Sequence, residues 1–510
     1  MINVDSGALR AATTAWRRRP HALGIVACAL ALLSGCSTQG LERWHTVDLD
    51  EEYRASRADE VPTFAAYLQL EDRLFAQLDE EVYARNATGP ADALLRYTHG
   101  SASDPQVRHP DWNRSFELPH AAPTGGVLLL HGMSDSPYSL RALGESLHEH
   151  GYYVVGLRLP GHGTAPSALL DVRWEDMAGA MRLAVAHLER QVGQTPIHIV
   201  GYSTGAPLAL DFALDAIEGR ASPMPASLVL ISPAIGIHAA AAAAQWKRRA
   251  ASLPALGGLA WLNVEPEFDP FKYNSFTTNA GEQVHRLTRR VSRRVDSLAR
   301  SNGTGALPPM LVFKSNADST VSTDAVVSRL LARLDPYRNE LVLFDVNRYA
   351  AKDLLLVADQ RFLDARVVGD ARLPFTLTLV TNESDTSSAV VVRRQEPYSA
   401  VSTRQEALGA AWPSGVISLS HVALPIPPDD PLYGQRPPGN DDVLFLGQMA
   451  IQGERGMLRL SSDWLLRLRY NPFYAYVDAR TLAWIDRAGG RGENTAPGGT
   501  TPPDGVALPH

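Results

Sequence analysis

The chain has 510 residues, is 45% hydrophobic and 20% charged, and carries a formal net charge of −7. That is enough apolar material for one large core with insertions, or for two to three average domains. There is no basic stretch interleaved with aromatics, so nucleic-acid binding has no support, and the only two cysteines, Cys28 and Cys36, exclude a disulfide framework.

At the N-terminus, Arg17, Arg18 and Arg19 precede an apolar run, Ala22 to Leu33, that is too short to span a bilayer as a helix. Leu33-Ser34-Gly35-Cys36 follows. Basic, apolar and small residues in that order describe a secretory signal. A cysteine directly after Leu-Ser-Gly resembles the bacterial lipoprotein signal, in which that cysteine is lipidated and becomes the mature N-terminus. Residues 1–35 are then the signal peptide and Cys36 the lipidation site. Cys28 leaves with the signal, which excludes cysteine nucleophiles and thiolate metal sites. Loss of Arg10, Arg17, Arg18 and Arg19 against Asp5 makes the mature body more acidic still. An acidic body is held at a membrane by its anchor rather than by charge. Ser37, not aspartate, follows the cysteine, and by the same resemblance this implies the outer membrane of a bacterial cell envelope.

Residues 36–60 are polar without periodicity and predict a tether. The folded domain is expected over 61–487. Phe64, Tyr67, Leu68, Leu74, Phe75, Leu78 and Val82 recur at helical spacing between Thr63 and Ala84, a helix packed on the domain. Residues 86–123 predict loop with a short strand near Ser115–Leu118. Gly126 to Leu130 is continuously apolar, as in a strand buried on both faces, and ends in His131-Gly132-Met133. A helix from Pro137 to Glu149, a strand from Tyr152 to Leu157 and a helix from Trp174 to Gln191 follow. Strands over Ile197–Val200 and Leu228–Ile231 come next. This alternation at crossover spacing predicts a mostly parallel sheet with helices on both faces.

Residues 234–307 interrupt the alternation and predict a helical cap over the site, with helices at Ala239–Ala251 and around Val284, Leu287, Val291, Val295 and Leu298. Arg286, Arg289, Arg290, Arg293 and Arg294 surround the second; such a run is most often a solvated face. Met310–Phe313 and Glu340–Asp345 predict strands flanking a helix, Thr323 to Leu334. A further insertion, 347–410, contains strands near Phe375–Val380 and Ala389–Arg393. Val416–Ser420 predicts a strand ending at His421, and Gln448–Arg469 a helix. Gly, Pro and Thr dominate 488–510, which predicts a disordered tail.

The chemistry centres on Gly201-Tyr202-Ser203-Thr204-Gly205. It follows a strand and opens a helix, the context in which Gly-x-Ser-x-Gly is a nucleophile elbow. Gly201 and Gly205 supply the missing side chains that so tight a turn requires. A serine hydroxyl needs a base to take its proton and an acid to orient that base. In this fold logic the order is Ser, acid, His. Asp318 follows a strand beyond the cap, with Asp345 as its rival. Only His421 and His510, of 15 histidines, lie beyond Asp318. His510 ends the polar tail, so the base is His421. His131 and His162 precede the serine and are expected to shape loops. An oxyanion hole needs two N–H groups aimed at one point. Thr204 supplies one, and Met133, after the pliable Gly132, the other.

Leu-Leu-Leu-His-Gly-Met at 128–133, Leu-Pro-Gly-His-Gly-Thr at 159–164, Gly-Tyr-Ser-Thr-Gly at 201–205, Asn-Ala-Asp-Ser-Thr-Val at 316–321 and Ser-His at 420–421 together resemble the α/β-hydrolase superfamily. The nearest branch is that of monoacylglycerol lipases, lysophospholipases and small carboxylesterases. The resemblance spans roughly 125–425 and implies an α/β-hydrolase fold with a helical cap. It also implies ester hydrolysis through an acyl-serine, with no metal or organic cofactor, by Ser203, Asp318, His421 and the backbone of Met133 and Thr204. One departure stands out: roughly 100 residues separate Asp318 from His421, where the family places the histidine soon after the next strand. The insertion near 347–410 explains it. A peptidase or thioesterase would use the same triad, and a silent binding lipoprotein is the reading from another class.

Overall fold

A computed structural model describes residues 40–86, 89, 92–236, 260–316, 323–350, 367–437, 439, 444–447 and 468–491. Its centre is a ten-stranded sheet of order β1-β3-β2-β4-β5-β8-β9-β10-β11-β12. The strands that position the site are β2 (Gly126–Leu130), β3 (Tyr153–Leu157), β4 (Ile197–Tyr202), β5 (Ser227–Ile231), β8 (Met310–Ser315) and β9 (Glu340–Phe344). With β10 (Thr376–Asn382) they run parallel. At the edges, β1 (Phe116–Leu118), β11 (Ala389–Gln395) and β12 (Ser402–Ala411) run antiparallel to their neighbours. The 347–410 insertion thus extends the sheet by three strands. A separate two-stranded ribbon pairs β6 (Trp261–Asn263) with β7 (Phe276–Thr277).

The central strands are apolar throughout because both faces are covered. In β2, Leu128 and Leu130 enter one core while Val127 and Leu129 enter the other, following the two-residue repeat of a strand. On the first face lie α1 (Phe64–Glu81), α3 (Trp174–Val192), α4 (Gly205–Ile217) and α5 (Thr278–Arg300). On the second lie α2 (Arg141–Glu149) and α7 (Tyr474–Ala488). The short α6 (Thr323–Arg329) leads from β8 toward β9.

Four expectations need correction. The segment 40–60 is not a tether. Trp44, Leu49 and Tyr53 are buried, and Glu52 pairs at 2.9 Å with Arg158, a fully buried guanidinium that also holds Glu71 at 3.0 Å. A polar run looks solvated until its buried partner is known.

The helix α5 is not part of a cap. Its Leu287, Val291 and Val295 share a core with Leu228 and Leu230 of β5 and Val312 of β8, as a crossover helix on the sheet does. Its arginines are not all a solvated face: Arg290 pairs with Asp211 at 2.9 Å, and Arg294 with Asp215 at 2.9 Å and Glu218 at 2.8 Å, tying α5 to α4.

Residues 416–420 form no strand. Their carbonyls accept from side chains and a loop N–H rather than from a neighbouring strand. Residues 488–491 do not belong to a disordered tail: Arg491 donates to Thr124 at 2.6 Å and lies over the Tyr152 ring. Cys36, the expected helices at 239–251 and over 448–467, Asp318, and the tail from 492 with His510 lie outside the described residues.

Candidate active site

The chain passes from β2 outward to β3 and then returns to β4 on the other side of β2. Neighbouring strands therefore lead away in opposite directions beyond β2 and β4. In open parallel sheets that switch point leaves a crevice at the carboxyl ends. Ser203 stands at this point.

Ser203 has φ 52, in the left-handed region that non-glycine residues seldom enter. The turn is held from both sides. Ser203 N–H donates to the Ile231 carbonyl at 2.9 Å, and the Ser203 carbonyl accepts from Ala234 at 3.0 Å and Ala206 at 3.2 Å. The glycines are required. A Cβ on Gly201 would stand 2.6 Å from the Ala206 nitrogen, and one on Gly205 would strike the Leu130 carbonyl. Strain of this kind at a serine exposes its hydroxyl above the sheet.

The loop after β2 lies against the serine. A Cβ on Gly132 would be 3.0 Å from Ser203 Cβ. His131, at the strand end, fixes this loop. Its Nε2 accepts from Leu159 N–H at 3.0 Å, so its proton is on Nδ1, which donates to the Gly132 carbonyl at 2.8 Å. Asp135 N–H donates to the same carbonyl at 3.3 Å. The 132–133 peptide is thereby oriented, and with it the Met133 N–H. Burial, with the neighbouring His162 adding to it, holds His131 well below the ordinary imidazole range, so it stays neutral. Burial pushes His162, beside it, down to about 4. Both histidines shape loops, as expected. Among the described residues, no backbone carbonyl takes the N–H of Met133 or Thr204. Thr204 caps α4, whose N-terminal dipole favours negative charge there.

His421 arrives from the other side. Ser315, the last residue of β8, donates its hydroxyl to the Leu419 carbonyl at 2.6 Å. Asn347, just past β9, donates its backbone N–H to Ile417 and its side chain to Val416, both at 2.7 Å. Ser420 donates to Leu468 at 3.1 Å. These bonds hold 416–421 against the carboxyl ends of β8 and β9; Asp318 follows β8 in the sequence, outside the described residues. The rival acid Asp345 is engaged elsewhere. Arg348 binds both its oxygens, Thr381 binds Oδ2 at 2.7 Å and Val346 N–H binds Oδ1 at 2.8 Å.

A small cavity of about 40 Å³ opens between the two sides. Tyr202 and Val422, the chain neighbours of Ser203 and His421, both line it, with Tyr138, Phe271, Asp135 and Lys272. Phe271 and Lys272 form its roof. Phe271 stacks on Tyr138 with centroids 4.1 Å apart, Tyr273 N–H donates to Ser134 at 2.8 Å, and the Tyr273 hydroxyl accepts from Thr164 N–H at 2.8 Å. Sequence reasoning missed Asp135 and Lys272. Asp135 lies two residues beyond the His-Gly-Met segment, whereas Lys272 carries no local signal and meets it only through the fold.

Residues 121–347 match the family described as serine aminopeptidase, S33. The match and the sheet define the class: the core of this chain has an α/β-hydrolase fold, and its sequence is similar to a lipase of that fold. Among particular proteins, a thermostable monoacylglycerol lipase of Bacillus sp. (strain H-257) is 28% identical over 197 residues, 38% of this chain and 71% of the lipase. The dihydrolipoyllysine-residue acetyltransferase component of an acetoin cleaving system of Cupriavidus necator is 28% identical over 166 residues, 31% of this chain and 38% of that protein. A solved monoacylglycerol lipase of Paleococcus ferrophilus is 18% identical, with 45% of this chain and 88% of that chain covered and a TM-score of 0.34.

Proposed function

We propose that the protein is a serine hydrolase of carboxylic esters, held by a lipid on Cys36 at the outer membrane of a bacterial cell envelope. The observation that carries the catalytic part is the left-handed Ser203 between two oriented glycine-flanked loops, on the cavity that the His421 segment also reaches. Ser203 attacks the ester carbonyl. His421 takes its proton and delivers it to the departing alcohol. Asp318 holds the imidazole in the right tautomer and stabilises its charged form. The N–H groups of Met133 and Thr204 hold the oxyanion, and water then releases the acid from the acyl-serine. Kinship to a monoacylglycerol lipase and tethering to a membrane both favour an acyl-lipid substrate.

The test compares wild type with Ser203→Ala on acyl esters of rising chain length, with fluorophosphonate labelling alongside. Turnover and labelling are expected to vanish together; Ser203→Ala that still turns over ester would refute the assignment. Cys36→Ser should move the protein from the membrane to the soluble fraction and abolish palmitate incorporation. The family description favours peptidase action as the second reading, and cleavage of aminoacyl amides faster than esters would select it.

A further inference from the structure

Asp135 stands where a negative charge works against the proposed reaction. The position of a Cβ on Gly132 is 3.0 Å from Ser203 Cβ and 3.1 Å from Asp135 Oδ2. A carboxylate oxygen therefore lies within about 6 Å of Ser203 Cβ, on the loop whose Met133 N–H is to receive the oxyanion. Like charges at such a separation repel in a largely buried site. An oxyanion hole gains its effect from the sign of the charges around it.

The remedy is on the roof. Lys272 reaches across and pairs its ammonium with Asp135 Oδ1 at 3.2 Å. Its backbone has little freedom, because Phe271 before it is stacked on Tyr138 and Tyr273 after it is bonded to Ser134 and Thr164. Lys272 and Asp135 both line the cavity with Tyr202 and Val422. Burial is the larger influence and raises the Asp135 carboxyl overall, while the ammonium of Lys272 opposes that rise.

We infer that Lys272 is a charge-compensating, positioning residue for Ser203: by neutralising Asp135 it lets the oxyanion form beside that carboxylate. Lys272 touches no reacting atom and acts through Asp135. The inference rests on the Ser203 reading and names a part of its machinery that a mere latch between roof and loop would not be.

A charge cycle separates the two. Lys272→Met, Asp135→Asn and the double variant are compared with wild type by ester kinetics and by the rate of fluorophosphonate labelling, with thermal melts on each. Lys272→Met is expected to lower kcat about 10- to 100-fold with little change in KM, since it acts on the transition state. Adding Asp135→Asn to it should recover most of that loss, and Asp135→Asn alone should raise kcat. A latch predicts the opposite, a double variant no faster than Lys272→Met; that result overturns the inference. So does a fall in kcat for Asp135→Asn alone, which also decides the matter if Lys272→Met fails to fold. Ser203→Ala runs in parallel. If it stays active the serine reading has failed; if it is dead and no rescue occurs, only the charge inference has.

Discussion

Ser203 stands on a turn between β4 and α4 that Gly201 and Gly205 make possible, and Gly132 lets the next loop approach it. His421 stands on an irregular segment, 416–421, shaped by Ser315 and Asn347 from other strands. The proposed nucleophile side is thus encoded within a few residues of the serine and braced by strands buried on both faces. The proposed base side is assembled from distant parts of the chain and held by a handful of side-chain bonds. A site can couple a rigid local half to a half delivered by tertiary contacts, and the two should fail in different ways.

The contrast is sharpest where chemistry alone is removed. His421→Ala should lower kcat by roughly ten-thousand-fold and leave the melting temperature near wild type, because α4 and the elbow do not depend on it. A collapse of the fold would show that the base side is structural.

Acid should strike the nucleophile side. His131, His162 and His198 are buried on β2, β3 and β4 or just beyond, and burial lowers all three, His162 and His198 to about 4. As pH falls below about 6.5 the unfolded chain binds protons that the folded one refuses. The stability these groups contribute is complete above that value and drains away toward pH 4, at about 1.4 kcal/mol per unit for each histidine. Melts across this window measure it, and a flat profile would sink the idea.

Gly205→Ala drives a Cβ into the Leu130 carbonyl. It should cost about 1–3 kcal/mol and most of the labelling rate, since the elbow must open. Ser315→Ala is the matching test on the base side. It removes the hydroxyl that holds Leu419 and should cost about 1–2 kcal/mol, with kcat down roughly 10-fold as His421 loosens. Equal effects of these two on fluorophosphonate labelling would erase the distinction between the sides.

The same contrast explains what could be read in the residues. β2 to β5, β8, β9 and the elbow were legible because buried parallel strands are continuously apolar and the turn is glycine-flanked. His421 was chosen as the candidate base by chain order, but its setting was misread. Val416-Ile417-Ser418-Leu419-Ser420 alternates like a strand, and nothing local reveals that Ser315 and Asn347 take its carbonyls. Likewise the apolar stripe of α5 has the right period for a helix, but periodicity does not say whether the stripe faces a sheet or a site. Glu52 looks solvated in a polar run because Arg158 is far along the chain.

That last pair bears on how the protein is made. Glu52 emerges from the ribosome 106 residues ahead of the guanidinium that binds it. Until β3 is complete and Arg158 is in position, the first packed segment has no counter-charge to bury against. Long-range contacts of this kind form late because the intervening loop must close first. The N-terminal segment therefore cannot lock before Arg158 has been made, and the chain stays open at its leading end until β3 is in place.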